Sequence, residues 1–499
     1  MKPALSGSTP AGAAEFPPNS GVLAVNSPTA AFTVHDDLEA SELPQNWSKR
    51  RRWLIIIVLS LMSLMVSISL VISTPAASVI ADEFNNHDRF LSVFFLTVPN
   101  LGQVVSPLYI GPLSERYGRV PVCHLFNLLF IAFTMIGGFS HNFTTLIVSR
   151  FLSGASIFSI CLNPAITGDL FAKHERGTAM SLASMIPILG SAMGPILGGY
   201  VTQYLSWRWT CWLVSIGAAA LTPVMAVTLQ ESYLPVIRRR RLKKGNCAVQ
   251  AAEGSRPRKY WKGWNVESLK SFLLLGLRPF IILGSSRVAV LMTLYLSILF
   301  GYVSLLASTL ASTFQDVYGF SESQSGLVYI ALTVGTLTGV LLCTFTLDYF
   351  FVRGFSRKKP VDGETPRPEN RLIPILPAMI AFPAGLLLYG WTLEKRAHWM
   401  VPAIGSMLCG FSLASSTTPI MSYLVDIFDV RSASAIAAVL PLRYLAGAFL
   451  PVASPYMYAR LGHGWANTLL ALILLVIVPF IFRVIIRPQH AIAPNVARG

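Results

Sequence analysis

The chain has 499 residues, of which 53% are apolar and 12% are charged, and its mean hydropathy is +0.57. Soluble globular proteins carry about twice that share of charge, so a soluble fold is excluded. The same figures exclude a disordered, collagen-like or disulfide-stapled secreted protein. A membrane helix needs about 20 apolar residues, so a dozen helices would use about 240 positions, close to the roughly 264 that 53% implies.

The basic residues are grouped in the segments that separate the apolar stretches and do not form one continuous run. The 39 Lys and Arg against 23 Asp and Glu give a formal net charge of +16, and basic clusters lie between apolar runs at 49–52, 238–241 and 357–359. Juxtamembrane segments carry charge in this way. No stacking aromatics accompany the clusters, so a nucleic-acid partner is not expected. The six cysteines form neither a disulfide framework nor a metal-ligand spacing, so we expect no cofactor and no metal.

In chain order, the first segment, 1–52, is rich in Pro, Ala, Ser and Asn and lacks a signal sequence, so we expect a disordered cytoplasmic tail. Apolar runs of spanning length follow, and they predict twelve transmembrane helices. Their expected ranges are 53–79, 90–111, 120–140, 143–168, 177–204, 209–231, 280–313, 321–348, 371–393, 397–422, 433–458 and 463–487. A second cytoplasmic tail, 488–499, ends the chain.

The segment between the sixth and seventh runs, 232–278, is a polar, basic linker that separates six spans from six. We therefore predict an all-α membrane protein of two six-helix bundles, 53–231 and 279–487, related by pseudo-symmetry. Asp169-Leu-Phe after the fourth span is echoed by Asp426-Ile-Phe after the tenth, which indicates either duplication or chance similarity of short segments. Lys and Arg are concentrated in the loops on the side of both termini, which predicts that the termini are cytoplasmic.

The loop between the second and third spans carries a family motif. It reads Gly111-Pro-Leu-Ser-Glu115-Arg116-Tyr-Gly118-Arg119, in which glycines permit a tight turn and an acid lies among arginines at helix ends. This loop resembles motif A of the major facilitator superfamily. The resemblance implies that Glu115, Arg116 and Arg119 latch the two bundles on the cytoplasmic side in the outward-facing state. The family usually has Asp where Glu115 stands, and a bare structural turn would need none of these charges.

The fifth span carries a second motif. It reads Gly190-Ser-Ala-Met-Gly194-Pro195-Ile-Leu-Gly198-Gly199, with small residues at four-residue spacing and a proline that bends the helix. This sequence resembles motif C, which marks the antiporters within the superfamily. As a purely structural feature, it is a packing seam between closely approaching helices.

Three arginines lie inside the predicted spans: Arg150, Arg287 and Arg443. No Asp or Glu lies in the middle of a predicted span. Arg150 resembles the arginine of motif B, which is tied to proton coupling in the superfamily. A cavity lined by unpaired cations favours an anion, because a carboxylate can pair bidentately with a guanidinium. We therefore predict export of an organic acid or acidic secondary metabolite. In the competing interpretation, these arginines pair with helix C-termini or with acids near the span ends.

Further segments extend the resemblance over nearly the whole chain after residue 45, among them Asn46-Trp-Ser-Lys, Trp207-Arg-Trp209 and Gly464-Trp-Ala-Asn. They are similar to the fungal 12-spanner drug:proton antiporter family. The resemblance implies a secondary active transporter of the cell membrane that moves a small-molecule substrate across the lipid bilayer by alternating access, coupled to protons. We expect it to work as a monomer.

The proton carrier is left open by the sequence. His124 and Asp169 are candidates for coupling, and His124 is equally consistent with a packing residue. Spans four, seven and ten line the cavity in this superfamily, so their polar residues are candidate cavity contacts, or bonds to neighbouring helices. These residues include Asn163, Tyr295, Ser415 and Thr418.

Other functions remain open at this stage. They are multidrug efflux of neutral or cationic toxicants, proton-coupled uptake of a small solute, and nutrient sensing on a transporter fold. Motif C disfavours uptake, and the short predicted tails disfavour a sensor. No loop shows a nucleophile–base arrangement, so we do not expect an enzyme. The sequon at Asn142 lies in a short loop beside the membrane, and we expect it to be unused.

Overall fold

The computed structural model describes residues 43–85, 88–171, 173–238, 283–284, 286–353, 368–428 and 432–486. Most of the predicted tail 1–52, most of the linker 232–278 and the tail 488–499 lie outside these residues. The longer helices are, in chain order, α1 Lys49–Val71, α2 Ala77–Glu83, α3 Arg89–Tyr117, α4 Arg119–Gly138, α5 Phe143–Ala155, α6 Ser159–Leu170, α7 Lys173–Tyr204, α8 Arg208–Thr228, α9 Arg287–Tyr318, α10 Glu322–Leu327, α11 Tyr329–Arg353, α12 Ile375–Glu394, α13 Met400–Phe428, α14 Ser432–Phe449 and α15 Ser454–Ile486.

Eleven segments of the described chain are long and apolar enough to cross a membrane, and the last of them, Ala438–Val484, has 47 residues. At 1.5 Å per residue this segment would measure about 70 Å, more than twice the bilayer core of about 30 Å. It is broken at Gly462, whose φ of 72° and ψ of 173° are not helical. The described residues therefore provide twelve crossings, the number that the sequence predicts. The fourth span combines α5 with α6, the eighth α10 with α11, and the eleventh α14 with the first part of α15.

An even number of crossings places the start of α1 and the end of α15 on one side of the molecule. We call this side, marked by Lys49 and Ile486, the terminal face, and the opposite side the distal face. The short helix α2 and the turns at Gly319 and Gly462 lie at the distal face. The ends of α3 and α6 lie at the terminal face.

The fourth span differs from its prediction as one continuous helix over 143–168. α5 ends at Ala155 and α6 begins at Ser159, so backbone groups between them leave the helical ladder at membrane depth. Such a break is tolerated only where protein or water satisfies the freed groups. Here the Tyr109 hydroxyl of α3 donates to the carbonyl oxygen of Ala155. The partner lies 46 residues away in sequence, which explains why an apolar run alone does not predict the break.

Glycines set the closest approaches of helices inside each bundle. Gly102 of α3 and Gly154 of α5 face the backbone of each other's helix, and a methyl group at either would overlap it. Gly335 of α11 and Gly410 of α13 do the same in the C-terminal bundle. Close backbone approach through small residues is the usual way to pack helices in a membrane. Each bundle also has an apolar core of its own.

Among the described residues, four hydrogen bonds that join the two bundles lie from mid-membrane toward the distal face. Thr97 donates to the carbonyl of Ala448 at 3.0 Å, and Asn100 donates to the carbonyl of Gly447 at 3.0 Å. Ser191 bonds Thr333 at 2.8 Å, and Gln315 donates to the carbonyl of Pro75 at 3.4 Å. The structure is therefore a conformation in which the bundles are held together toward the distal face.

Candidate substrate and coupling sites

The turn before α4 is held by a carboxylate from beyond the sixth span. Gly118 has a φ of 106°, which L-residues rarely adopt. Glu231 Oε1 accepts the backbone N–H of Arg119 at 2.9 Å and that of Tyr233 at 3.3 Å, and a methyl group at Gly118 would overlap this carboxylate. Gly118 thus provides the predicted tight turn. Gly111 lies inside α3 with open space at its Cβ position, so the predicted turn role of Gly111 is wrong.

Arg119 is buried inside the N-terminal bundle. Its Nε lies 3.5 Å from Asp169 Oδ2, and its Nη1 donates to Ser114 Oγ at 2.7 Å. The guanidinium also stands over the Tyr233 ring at 4.8 Å from the centroid. Partial burial raises the pKa of the Tyr233 phenol, and the Glu115 carboxylate adds to this effect. Arg119 and Asp169 therefore hold α4 and α6 together within one bundle.

The C-terminal bundle repeats this ion pair. Arg371, just before α12, donates from its Nε to Asp426 near the end of α13. The third and ninth spans thus each begin at an arginine, and each pairs with an aspartate at the end of the following span. Asp169 and Asp426 are the residues that the sequence echo aligns, so the echo marks a structural repeat rather than a chance similarity.

Glu115 and Arg116 lie in the last turn of α3 and are exposed at the terminal face. The Arg116 guanidinium stands 5.5 Å from the centroid of the neighbouring Tyr117 ring. The latch implied by motif A acts when the bundles close at that face. The present conformation is held at the distal face, so the latch role of these two residues stays a prediction.

Motif C forms a seam between α7 and α1. Gly190, Gly194 and Gly198 follow one another along one face of α7 and lie against the distal part of α1. A methyl group at Gly190 would lie 2.7 Å from Cβ of Ser67, and one at Gly198 would overlap the carbonyl oxygen of Ile72. The two helices approach more closely than side chains would allow, as expected for small residues at four-residue spacing.

The same motif contacts the other bundle. Gly199 faces the carbonyl of Glu322, and Gly326 faces the carbonyl of Pro195. A methyl group at either glycine would overlap the backbone of the opposite bundle. The motif therefore contacts α1 within its own bundle and α10 of the other bundle, and separation of the bundles at the distal face must break the contact with α10.

Arg150 is buried, and both terminal nitrogens of its guanidinium donate hydrogen bonds at the end of α1. Nη1 donates to the carbonyl of Ser69 at 2.7 Å, and Nη2 donates to the Ser73 hydroxyl. Ser69 lies in the last turn of α1, where free carbonyls carry the negative end of the helix dipole. Of the two interpretations that the sequence allowed, pairing with a helix C-terminus therefore applies to Arg150.

Arg287 does not lie where the sequence places it. It is the first residue of α9, at the terminal face, and its side chain is exposed. The apolar run predicts a span from 280, but α9 begins later because the Ser286 hydroxyl caps it, accepting the N–H of Ala289 at 3.3 Å. The prediction that Arg287 is buried in a central cavity is wrong.

Of the three candidate arginines, Arg443 is the one that lies at mid-membrane without a hydrogen-bonding partner among the described residues. Its guanidinium stands over the Phe300 ring, 4.4 Å from the centroid, and Phe300 meets Tyr444 edge to face with centroids 5.5 Å apart. Tyr444 also lies near Cys161 of the opposite bundle. Among the described residues, the Arg443 side chain has no hydrogen bond and no ion pair, and its Nε is buried. We call Arg443, Phe300, Tyr444, Cys161 and Asn100 the central cluster.

Asn100 borders the central cluster from α3. Its Nδ2 donates to the carbonyl of Gly447 at 3.0 Å and to Ser304 Oγ at 3.4 Å, so it connects the two bundles. Sequence reasoning missed Asn100, Phe300 and Tyr444. The available signal was an amide in the middle of an otherwise apolar run, at Asn100.

The other candidate polar residues make contacts within a bundle. Asn163 Nδ2 donates to Ser63 Oγ at 2.7 Å and so joins α6 to α1. Tyr295 is fully buried in α9, with its hydroxyl toward α13. Ser415 is buried, and its carbonyl accepts from Cys343 Sγ at 3.7 Å. Two further candidates are half-buried in their helices, Thr418 and His124.

A charged contact closes the distal end of the N-terminal bundle. Glu83, the last residue of α2, lies 2.7 Å from Arg208 Nη1 and accepts the indole N–H of Trp207. Partial burial acts to raise the pKa of the Glu83 carboxyl, but the hydrogen bonds from Trp207 and Arg208 outweigh it and lower the pKa below its ordinary value. The carboxylate is therefore charged at neutral pH and holds α2 against α8.

Two pseudo-symmetric six-helix bundles that meet around a charged mid-membrane cluster define a secondary transporter. The chain belongs to the Major Facilitator Superfamily, whose family model matches residues 57–451. This assignment confirms the predicted family and fold, and it confirms that the protein is a transporter rather than an enzyme.

Similar proteins include the "MFS transporter cpaT" of Aspergillus oryzae, 34% identical over 87% of this chain and 86% of that protein. The "Efflux pump radE" of Floropilus chiversii is 34% identical over 86% of this chain and 79% of its own. Among solved structures, the xylose transporter XylE from E. coli superimposes with a TM-score of 0.63, covering 87% of this chain and 99% of that chain. At 15% identity, XylE supports the fold alone.

Proposed function

We propose that this transporter exports an organic acid or acidic secondary metabolite from the cytosol, coupled to protons. The observation that carries the proposal is Arg443, whose guanidinium has no ion pair among the described residues. An unpaired cation at membrane depth is costly, and the carboxylate of a substrate would supply the missing bidentate partner. The aromatic contact with Phe300 offsets only part of that cost, about 2 kcal/mol for a desolvated pair.

The aromatic side chains of the central cluster favour a particular kind of acid. Phe300 and Tyr444 place apolar ring surface beside the Arg443 guanidinium. A substrate with a carboxylate and an adjoining apolar or conjugated body would use both surfaces, whereas a small hydrophilic acid would use only the charge.

Membrane orientation and motif C bear on the direction of transport. Basic residues lie on the terminal face at the start of α1, including Lys49, Arg50 and Arg51, which supports a cytoplasmic terminal face in the cell membrane. The present conformation, held together at the distal face, would then receive substrate from the cytosol. The motif C seam and the efflux pump among the relatives support export rather than uptake.

The latch residues give a separate prediction for turnover. Glu115 is proposed to help close the terminal face in the opposite conformation. Glu115→Gln would then remove one charge from the contact that closes that face and would leave the present conformation unaffected. We expect slower turnover with substrate affinity unchanged, measured as the rate of efflux and the half-saturating substrate concentration in vesicles. An unchanged efflux rate would remove Glu115 from the latch.

Export from cells tests the proposal. Cells expressing the chain and transporter-null cells are compared for extracellular organic acids and acidic metabolites at controlled external pH, with cationic drugs tested in parallel. Selective release of an acid supports the proposal. Resistance to neutral or cationic toxicants without acid release would instead favour multidrug efflux, and accumulation of a solute inside the cell would favour proton-coupled uptake.

A further inference from the structure

His463 is fixed at the distal face by a carboxylate. It follows Gly462, the residue that breaks α15, and its backbone N–H donates to Glu394 Oε2 at 2.8 Å. The same oxygen accepts the N–H of Gly464 at 3.3 Å, and the carbonyl of His463 accepts from Asn467 Nδ2 at 2.8 Å. The backbone that carries the imidazole is therefore held where the last two spans meet.

The His463 ring is half-buried and incompletely bonded. It packs on the Tyr458 ring with centroids 4.7 Å apart, and its Nδ1 is buried without a hydrogen-bond partner. The ionisable groups that face it are Glu394 from α12, Asp316 from α9 and Tyr458 from the first part of α15. Histidine changes its charge near neutral pH, and protonation would make Nδ1 a donor that lacks an acceptor.

Behind His463, polar side chains follow one another through the interior of the C-terminal bundle. We call them the hydroxyl cluster, made of Tyr458, Asn467, Thr309, Tyr389, Thr313 and Tyr329. Tyr458 lies next to Asn467 and Thr309, and Tyr389 lies next to Tyr458 and Thr313. The hydroxyls of Tyr389 and Tyr458 are buried without a well-formed hydrogen bond. Buried polar groups at membrane depth are costly, so packing alone does not account for such a set.

The hydroxyl cluster ends where the two bundles touch. The Tyr329 hydroxyl donates to the carbonyl of Ala307 and lies next to Thr74 of the N-terminal bundle. Beside it, Gln315 of α9 donates to the carbonyl of Pro75 at 3.4 Å. Thr74 and Pro75 belong to the segment between α1 and α2. Polar contacts therefore connect His463 with the junction that holds the bundles together at the distal face.

We propose that His463 is a proton-binding site of the transport cycle and that the hydroxyl cluster links its protonation to separation of the bundles at the distal face. In the present conformation the ring is half-buried and Nδ1 has no acceptor, so a proton is held poorly. Separation at Thr74 and Tyr329 would admit water to the cluster and supply acceptors. The separated state then binds the proton better, so acidification shifts the population toward it. This inference rests on the proposed proton coupling and on a distal face outside the cell.

A distance measurement tests the link without a substrate. Spin labels are attached at Tyr204→Cys and Met400→Cys, two exposed distal positions in opposite bundles, in full-length protein whose six native cysteines are replaced. Electron–electron distances are recorded in nanodiscs between pH 7.5 and 5.5. We expect the separated population to rise at least about fivefold across this range, because histidine changes its charge within it. No change of the distance with pH would overturn the proposal.

Matched variants separate His463 from other groups. His463→Gln is expected to abolish the pH response, whereas the exposed distal His141→Gln is expected to keep it. Glu394→Gln is expected to move the midpoint to lower pH, because the imidazolium loses a neighbouring carboxylate. A normal response in His463→Gln would overturn the proposal.

Tyr458→Phe covers the case in which His463→Gln does not fold, because it keeps the ring contact and removes only the hydroxyl. We expect this variant to lose at least half of the response, and an unchanged response would overturn the proposal. The readout needs no substrate. If the pH response depends on His463 but no acid is exported, the organic-acid proposal fails and the proton site stands.

Discussion

At Gly118 a side chain would meet two obstacles, a φ of 106° and the carboxylate of Glu231. Backbone strain of this kind costs about 1–3 kcal/mol, before any displacement of Glu231. We expect Gly118→Ala to lower the thermal unfolding midpoint of the purified protein. Gly111→Ala is the matched control, because Gly111 lies in α3 with open space at its Cβ position, and alanine is the better helix former. Equal effects of the two changes would contradict the role of the turn.

Arg150 and Arg443 are expected to respond in opposite ways. Arg150→Gln removes two hydrogen bonds, one to Ser69 of α1 and one to Ser73 just beyond it, and should lower stability by about 1–3 kcal/mol. Arg443→Gln removes a charge that has no ion pair among the described residues, so stability should be unchanged or higher while transport of the acid falls. Thermal unfolding and acid efflux measured on both variants check this contrast. Loss of stability in Arg443→Gln would show that the residue has a structural role.

Sequence alone treats the three arginines as equivalent, because each lies within an apolar run. Their surroundings come from residues far along the chain: Arg150 reaches a carbonyl 81 residues away. Arg287 is exposed because a serine cap sets the start of α9. The same limit explains why the partner of Gly118, Glu231, was not predicted as part of the motif A turn.

The motif C helix gives a prediction about close packing. A methyl group at Gly198 would overlap the backbone carbonyl oxygen of Ile72. One at Gly194 would lie 2.7 Å from Cγ2 of Val71 and would come no closer than 3.0 Å to the backbone, at the carbonyl oxygen of Ile68. We therefore expect Gly198→Ala to reduce stability and efflux more than Gly194→Ala does. Thermal unfolding and vesicle efflux on the two variants check the order. The reverse order would mean that α1 and α7 move apart at little cost.

Helices are the level at which the sequence is most informative. Apolar length predicts all twelve crossings, since every lipid-facing backbone group must be bonded within its own helix. The break between Ala155 and Ser159 and the start of α9 depend on local capping and on tertiary hydrogen bonds, which hydropathy does not contain. Edges and breaks are therefore where prediction and structure differ.

At the scale of the molecule, internal duplication is visible both in the sequence and in its ion pairs. The Arg119–Asp169 pair and the Arg371–Asp426 pair occupy equivalent places in the two bundles. The central cluster has no such equivalence, because Arg443 comes from one bundle and Cys161 from the other. A sequence pattern can indicate a repeat, whereas a site assembled across the repeat requires the packed structure.

The distal junction unites several of these features. Gly199 of motif C, Asn100 and the end of the hydroxyl cluster all join the bundles on that side. Opening at the distal face must break all of them, whereas Glu115 and Arg116 stand exposed at the terminal face. In alternating access, one of the two conformations has the bundles joined at one face and separated at the other, and the present structure fits that description.

Arg443 is the residue proposed to recognise an acidic substrate, and transport by its variants tests this role directly. Efflux of an exported acid and of a neutral compound is measured in vesicles containing the wild-type chain, Arg443→Gln and the exposed control Arg287→Gln. Loss of a bidentate charged pair costs about 1.5–3 kcal/mol, so we predict that Arg443→Gln lowers acid transport at least about tenfold relative to neutral transport. Arg287→Gln should leave that ratio unchanged. Equal loss of acid and neutral transport in Arg443→Gln would contradict recognition of the acid by Arg443.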